Sequence, residues 1–503
     1  MKKLLNLLRE YLWRPVLIHK FFMNDQLHRP APSLRLLATL FTMTMASCSV
    51  GPDYHRPEVP TPAAFKSATP AEAATPQLGH DWWKLFNDPA LDKLEDEAIK
   101  ENQSIQGAMA SVEAERAAAK GVKSAFYPAI SFDPSVTREH TSANTNINPN
   151  NSSNGATFTN YTLPFDLTYE VDIWGQVRRS VEAANAQVQA SQADLEVVRQ
   201  TLEADLAQDY FTLRSYDAQY KTLTDTVATY QKQLDLTNVQ FRAGLESASD
   251  VASAEALLDS TQTQQLEIGR QRDEEEYAIA ILLNRAPSDF TLTAGSTSVD
   301  PPIIPAGLPA DLLRRRPDVA AAEANLAAAS AQIGMAVSEF YPQLSLTGDA
   351  GFESIRSSNL LDWSSRIWSL GPSVSFPLFN GGKLSANLEQ QQAAYKELLA
   401  QYRIQVLSAY QDVENSLTDL HSRADQAKAQ ATAVAASQDY FRLAQLQYQQ
   451  GLVDYLTVID ADRTLLSNQL IAEQILNERL VSTVLLMKAL GGGWDGNSPP
   501  PIH

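Results

Sequence analysis

The sequence lacks the features that identify disulfide-bonded proteins, helical membrane proteins and nucleic-acid-binding proteins. It contains one cysteine in 503 residues, so it cannot form a disulfide within itself. After that cysteine, Cys48, no run of about 18 uncharged apolar residues occurs, which excludes a transmembrane helix. Lys and Arg number only 40 against 59 Asp and Glu, a net charge of -19 that argues against nucleic-acid binding. Both simple solubility and an acidic aqueous lumen would account for this charge.

Signatures of catalysis and of cofactor binding are also missing. The seven histidines are scattered, and none lies at metal-ligand spacing from the cysteine or from acidic residues. No glycine-rich phosphate loop follows a predicted strand. We therefore expect that the protein is not an enzyme and that it has no metal site and no cofactor.

The segment 161–173 alternates without a break between apolar and polar residues. Its apolar members are Tyr161, Leu163, Phe165, Leu167, Tyr169, Val171 and Ile173. This pattern predicts a β-strand with one apolar and one polar face. Strands of soluble sheets commonly have about five or six residues, whereas a strand that crosses a bilayer obliquely needs about 9–11. The length therefore favours a membrane-spanning strand.

An apolar heptad repeat follows at once and runs from Val181 to Phe241. A single four-residue step, from Leu202 to Leu206, interrupts it. A heptad repeat requires a partner helix, and a four-residue insertion locally relaxes the supercoil. Because no proline occurs within 175–244, we predict one continuous coiled-coil helix, roughly 100 Å long at 1.5 Å per residue.

The same unit occurs again 207 residues further along the chain. The four-residue step reappears at 409–413, and Gly175 and Gly244 correspond to Gly382 and Gly451. A heptad could arise twice by chance, but an interruption at the same offset is not expected to. The sequence therefore predicts an internal duplication.

The duplication predicts a single body at 77–490, made of repeats at about 77–287 and 310–490. Each repeat has a β-hairpin, at about 129–173 and 343–379, then a long helix, a tight turn and a returning helix. Four strands cannot close a membrane barrel, since the smallest have about eight, and an open edge cannot face lipid. The predicted fold class is thus membrane α+β, a transmembrane β-barrel shared between chains and continued by an α-helical coiled-coil tunnel. Further helices are predicted at 81–101, 104–124, 250–285 and 312–338.

The N-terminal residues 1–47 have the pattern of a secretory signal peptide. Arg35 precedes a short apolar run, and small residues stand directly before Cys48. This arrangement resembles the lipobox of bacterial lipoproteins, in which the cysteine is acylated, although Met45 stands where leucine is usual. The alternative is a buried free thiol. Met23 is an alternative start that would give a signal of ordinary length.

Segments at the two ends of the predicted body are expected to be irregular. Residues 48–76 are rich in proline and alanine, which predicts an extended, lipid-anchored tether rather than a packed element. Residues 491–503 form a C-terminal tail.

Five motifs resemble those of the outer-membrane factor family, the TolC-like channel-tunnels, in its OprM/NodT-type lipoprotein branch. They are GPDYHRP (51–57), DWWKLFNDPALDKL (81–94), LLRRRPDVAAAEANLAAA (312–329), FPLFNGGKL (376–384) and GLVDYLTVIDADR (451–463). The resemblance covers almost the whole chain after the cysteine. It implies a palmitate-bearing homotrimer in the outer membrane, with twelve barrel strands and a periplasmic tunnel. The implied role is efflux, including multidrug resistance: an RND-type inner-membrane pump exports drugs, metabolites or metal ions through a periplasmic adaptor (membrane fusion) protein.

The resemblance also implies roles for residues at the turns that end the long helices. The adaptor-contact tips would be Gly244, Leu245, Glu246, Ser247, Gly451, Leu452, Val453 and Asp454. The periplasmic gate would be Leu456, Asp460, Arg463 and Asp250, and Arg463 would pack against Asp460 of the same or a neighbouring helix. The alternative is structural: any helical hairpin accepts a glycine at its turn, and acids stabilise the first turn of a helix. Thr457 stands where some family members carry a second acid.

Two other functions stay open at the level of sequence. The same channel could serve type I protein secretion, which a fold alone does not exclude. A lipid-anchored periplasmic coiled-coil scaffold without a pore is a different class, and the alternating strands argue against it. The cargo is not indicated by any motif.

Overall fold

A computed structural model of the protein describes residues 49–69, 79–142, 155–295, 300–307 and 309–494. The predicted signal peptide and the predicted acylation site Cys48 lie outside the described residues. So do the second part of the predicted tether, 70–76, and the C-terminal tail after Trp494.

The described residues contain eight α-helices and five β-strands. The helices are α1 (Pro89–Glu101), α2 (Gln103–Lys123), α3 (Gln176–Arg242), α4 (Ala248–Leu282), α5 (Pro309–Arg315), α6 (Pro317–Ser338), α7 (Lys383–Gln449) and α8 (Tyr455–Ala489). The strands are β1 (Ala129–Phe132), β2 (Ser135–His140), β3 (Thr157–Val171), β4 (Gln343–Ser354) and β5 (Arg366–Ser375). None of the described helices combines the length and the apolarity needed to cross a membrane.

The strands form one antiparallel sheet in which β3 and β4 are central. β1 and β2 both pair with β3, and β5 pairs with β4. The long β3–β4 pairing, with Leu163 opposite Phe352, joins the hairpins of the two repeats. The first predicted strand is divided into β1 and β2 because Pro134 lacks an N–H group and cannot continue the ladder. Within the described residues, the outer edges of β1, β2 and β5 have no strand beside them.

One face of this sheet is apolar and exposed in the single chain. Its exposed apolar side chains are Ile130, Phe132, Val136, Phe165, Trp368, Leu370 and Val374. The opposite face carries polar groups, and there Asp166 lies opposite Asp349 in the β3–β4 register. A sheet with an exposed apolar face of this length matches the alternation predicted from the sequence and is the pattern of a barrel wall in lipid.

The two long helices confirm the prediction from the heptads. α3 and α7 each have 67 residues, so each is about 100 Å long. They begin after Gly175 and Gly382, whose φ angles of 87° and 89° lie in the left-handed region that favours glycine. Leu206, at the four-residue step of the heptads, is completely buried. The duplication is therefore visible in the structure as two helices of equal length with equal beginnings.

Two shorter helices differ from the sequence prediction. The predicted helix 81–101 is a 3-10 turn, Trp82–Phe86, followed by α1. Asp88 separates them because its Oδ1 accepts from the Ala90 N–H at 2.9 Å and caps α1, which has Pro89 as its first residue. The predicted helix 312–338 is divided into α5 and α6, since the residue before Pro317 is disfavoured in the helical region.

The first part of the predicted tether, 49–69, is irregular and packs against the body. Phe65 is buried among the core side chains. The backbone N–H groups of Lys66 and Ser67 donate to the Glu414 carboxylate at 2.6 and 3.0 Å. Asp53 pairs with Arg179 at 2.6 Å. The expectation of a segment that does not pack is therefore wrong for these residues, because long-range hydrogen bonds and an ion pair hold them.

Candidate functional site at the helical tips

The turns that join the long helices to the returning helices have the same backbone in both repeats. Gly244 and Gly451 have φ angles of 76° and 71°. The N–H of Leu245 donates to the Gln240 carbonyl at 2.9 Å, and the N–H of Leu452 donates to the Gln447 carbonyl at 2.9 Å. These bonds satisfy the last carbonyls of α3 and α7 in the way of a glycine-ended helix. The glycines are thus required by the turn itself.

Each tip is capped by one acid and one hydroxyl, in opposite order. The Ser247 hydroxyl and the Asp250 carboxylate form a capping box at the start of α4. At the start of α8, Asp454 is the cap, and its Oδ1 accepts from the Thr457 N–H and hydroxyl at 3.2 and 2.9 Å. Thr457, which stands where some family members carry an acid, is thus bound to the acid three residues earlier, Asp454.

The capping box decides what the Asp250 side chain does in one chain. Hydrogen bonds from Ser247 lower the pKa of Asp250, so this carboxylate stays charged and bound to its own turn. In one chain, Asp250 therefore stabilises the start of α4.

Leu456, Asp460 and Arg463 lie on one exposed face of α8, next to the tip. Their spacing of four and three residues places them in one row. The Tyr440 hydroxyl of α7 donates to Asp460 Oδ2 at 3.4 Å. Among the described residues of one chain, Arg463 makes no ion pair with Asp460. The same-helix version of the predicted pair is therefore not formed in one chain.

A hydrogen bond connects the two tips of one chain. The Tyr448 hydroxyl, at the end of α7, donates to Glu246 Oε1 in the α3–α4 turn at 3.2 Å. The Tyr448 ring packs against Tyr455 with centroids 5.4 Å apart, above a small core that includes Ala444 and Ala461. In the sequence, Tyr448 is the heptad position that corresponds to Phe241, 207 residues earlier. No local pattern indicates its bond to Glu246, which is 202 residues away.

The tips present apolar surface and no metal centre. Leu245 and Leu452, at the two turns, are 76% and 68% exposed. Within the described part of the chain, no group of three or more His, Cys, Asp or Glu side chains could hold a metal ion. The tips thus offer exposed apolar side chains at the turns and, on α8, the exposed charges of Asp460 and Arg463.

Known proteins match this chain along almost its whole length. A family model described as outer membrane efflux protein matches residues 94–285 and 308–492. The toluene efflux pump outer membrane protein TtgF of Pseudomonas putida is 31% identical over 481 residues, 93% of this chain and 98% of TtgF. The structure of the outer-membrane channel OprN matches with a TM-score of 0.82 and 30% identity, over 89% of this chain and all of OprN. The CmeC outer membrane channel of Campylobacter jejuni has the same fold, with a TM-score of 0.85 at 23% identity, over 90% of this chain and 96% of CmeC.

These matches confirm several predictions. The family model covers two segments of the chain, which fits the internal repeat. The similarity to OprN and CmeC confirms a barrel continued by a helical tunnel. The outer-membrane location and the efflux role predicted from the motifs are confirmed as well.

Proposed function

The chain belongs to the outer membrane efflux protein family, and we propose that it works as a passive, homotrimeric exit duct. It is the outer-membrane channel component of a tripartite efflux system. β1 and β2 lie one after the other along β3 and together count as one strand of the barrel wall. In the proposed trimer, three sheets of four such strands form one twelve-stranded barrel, and the long helices form the periplasmic tunnel. The protein provides a path and carries out no chemistry on the cargo.

The observation that carries the proposal is the sheet with two unpaired edges. Along β1 and β2 on one side, and β5 on the other, N–H and C=O groups find no strand within the described residues. Lipid cannot satisfy such groups, so the sheet must continue into other copies until it closes. Two copies would give eight strands and three would give twelve, and the resemblance to the channel-tunnels favours three.

Native mass spectrometry of the purified protein in detergent tests this assembly. We expect a stable trimer, because only closure satisfies both edges of every sheet. A dimer would support closure and contradict the stoichiometry. A monomer that inserts in bilayers would overturn the whole architecture.

We further propose that the tips contact a periplasmic adaptor, which connects this channel to an RND-type inner-membrane pump. The contact residues would be Gly244, Leu245, Glu246, Ser247, Gly451, Leu452, Val453 and Asp454. Exposed leucines at both turns support this, because apolar side chains that project from a tip favour burial against a partner. TtgF is named for toluene efflux, so small apolar organic molecules join drugs, metabolites and metal ions as candidate cargo. A role in protein secretion has no comparable support.

The periplasmic gate is proposed to be Leu456, Asp460 and Arg463, with Asp250 as a further member. Three copies of the exposed row on α8 would surround one axis in the trimer. Because Arg463 does not pair with Asp460 within one chain, we propose that it pairs with Asp460 of a neighbouring copy. The Tyr448–Glu246 bond would hold the two tips of each chain together.

Acylation at Cys48 is proposed from the signal sequence and from where the following residues lie. The Val50 N–H donates to the Trp174 carbonyl at 3.0 Å, where the sheet passes into α3. The Trp174 ring stacks on Tyr341 at 4.7 Å, and such aromatic pairs are typical of a membrane interface. A lipid chain beginning two residues earlier would therefore start close to a membrane surface.

Replacing Cys48 with alanine should abolish palmitate labelling, while the trimer still assembles because the barrel holds it in the membrane. Metabolic labelling followed by native electrophoresis measures both. Serine at the same position is a matched control and should behave like alanine, since it also lacks the thiol. An unmodified cysteine at the mature N-terminus of the wild type, seen by mass spectrometry, would contradict acylation.

A further inference from the structure

The helix α1 contains a carboxylate that the proposed function does not use. Glu95 is completely buried, and neither of its oxygens has a hydrogen-bond partner in the described residues. Water around an ionised carboxylate stabilises it strongly, and a dry site without donors does not replace that stabilisation. A carboxyl group in such a place is neutral instead. Burial and the nearby Glu203 raise the pKa of Glu95 well above its ordinary value.

The neighbouring carboxylate, Glu203 on α3, is in a different environment. It is also buried, but both of its oxygens accept hydrogen bonds. Arg199 Nε donates to Oε1 at 2.8 Å, and Trp82 Nε1 donates to Oε2 at 3.2 Å. Burial still raises the pKa of Glu203, to about 7. The two carboxyl groups therefore favour different protonation states. Glu203 has hydrogen-bond donors that stabilise a negative charge, whereas Glu95 has none and favours the neutral form.

The charged groups around this pair are mostly acidic. Arg199 forms an ion pair with Glu203. Lys84, which is exposed in the turn before α1, pairs with Asp81 and also interacts with Asp92 and Asp96. The acidic groups that act on Glu95 or Glu203 from α1 and α3 are Asp92, Asp96 and Glu196, and His80 acts on Glu196. The cations therefore do not balance a second charge on the buried pair.

We propose that Glu95 and Glu203 form a proton-binding pair that holds α1 against α3 while the proton is present and weakens this contact when it is lost. The contact is large. α1 and the preceding turn bury Trp82, Phe86 and Leu91 in the main core, and the Phe86 ring lies 4.8 Å from Phe211 of α3. Two adjacent carboxylates in this dry place repel each other, and they regain water only if α1 moves away from α3.

The direction of the pH effect follows from the proton balance. An exposed glutamate has a pKa of about 4.3, so Glu95 binds its proton more tightly when α1 is docked than when it is not. The packing of α1 against α3 is therefore most stable below about pH 4.3. It becomes weaker as the pH rises, until the pH reaches the pKa that Glu95 has when α1 is packed against α3. Each pH unit in this window changes the docking equilibrium by up to about tenfold.

Amide hydrogen exchange of residues 89–101 in the detergent-solubilised full-length protein, between pH 5 and pH 8, tests the proposal. Glu95→Gln keeps the size of the side chain and cannot lose a proton. Exchange gives the equilibrium constant for separation of α1 from α3. We expect the ratio of this constant in the wild type to that in Glu95→Gln at the same pH to rise by up to about tenfold per pH unit. Glu101→Gln, an exposed position on the same helix, is the matched control and should follow the wild type.

A ratio that stays constant over this range would overturn the proposal. Should Glu95→Gln fail to fold, Glu203→Gln gives an independent answer. Without the neighbouring charge, Glu95 loses its proton at lower pH, so the rise in opening should end at lower pH than in the wild type. A wild-type profile in Glu203→Gln would show that the two carboxyl groups do not act as a pair.

Discussion

Replacing Asp217 with alanine should destabilise the contact between the α3–α4 hairpin and the linker at 290–295 by about 3–5 kcal/mol. Asp217 is buried on α3. Its carboxylate accepts from Arg214 Nη1 at 3.0 Å, from Arg272 Nε at 2.8 Å and from the Gly295 N–H at 3.0 Å. One side chain therefore connects both helices of the hairpin to the chain that joins the two repeats.

The size of the effect follows from the charge balance of this network. Among the described residues, Arg214 forms its ion pair with Asp217, whereas Arg272 also pairs with Glu276 at 3.2 Å and with the exposed Asp273 at 3.7 Å. Loss of Asp217 therefore leaves the buried Arg214 without an acidic partner. A buried charge left in this way is far more destabilising than the loss of an exposed pair.

Amide exchange at Gly295 measures how often the linker separates from the hairpin. The exchange rate should increase by about a hundredfold or more, since 1.4 kcal/mol corresponds to a factor of ten. Asp225→Ala is the matched control on the same helix. It removes the exposed Lys221–Asp225 pair and should leave exchange at Gly295 unchanged. Equal exchange in the two variants would show that the network does not hold the linker.

Replacing Leu456, Asp460 and Arg463 together with alanine should open the periplasmic end and raise the single-channel conductance in planar bilayers. In the proposed trimer, three Asp460 carboxylates meet around one axis and repel each other, because the effective dielectric of a narrow opening is below that of water. Arg463 of a neighbouring copy would offset this repulsion, and Leu456 would add apolar contact. Asp460→Ala alone should remove block by multivalent cations and leave the tip mostly closed.

The duplication supplies a control for this experiment. The positions that correspond to Leu456, Asp460 and Arg463 in the first repeat are Ser249, Ser253 and Ala256. They provide no bulky side chain and no charge, so Ser249→Ala with Ser253→Ala should conduct like the wild type. If the triple variant also conducts like the wild type, the constriction lies elsewhere, and Asp250 becomes the next candidate.

Most of the secondary structure could be predicted from the sequence. The long helices follow from the heptads and from the absence of proline, and β3 follows from strict alternation. Both signals are local, because the burial of one helix or strand face repeats along the chain itself. The division at Pro317 and the separate turn at Trp82–Phe86 were missed although their signals, a proline and the Asp88–Pro89 cap, are present in the sequence.

The candidate site was predicted only in part. The glycine turns and the exposed row on α8 could be found from the duplication and the family motifs. The engagement of Asp250 by Ser247 was missed although its signal, the Ser-x-x-Asp spacing of a capping box, is present in the sequence. The bond from Tyr448 to Glu246 could not be found, because it depends on how two hairpins pack.

The sequence by itself thus determined the duplication, the lengths of the helices and the two faces of the strands. The helices and strands follow from short hydrophobic periods, and the duplication follows from the recurrence of the same pattern 207 residues later. Only the tertiary structure decided that β3 pairs with β4, that Asp217 connects two arginines to a linker, and that Glu95 is buried beside Glu203 without a partner. Apart from the pair between Arg214 and Asp217, these contacts join residues that are tens to hundreds of positions apart. Their energies depend on distance and on exclusion of water, and neither is encoded in any local pattern.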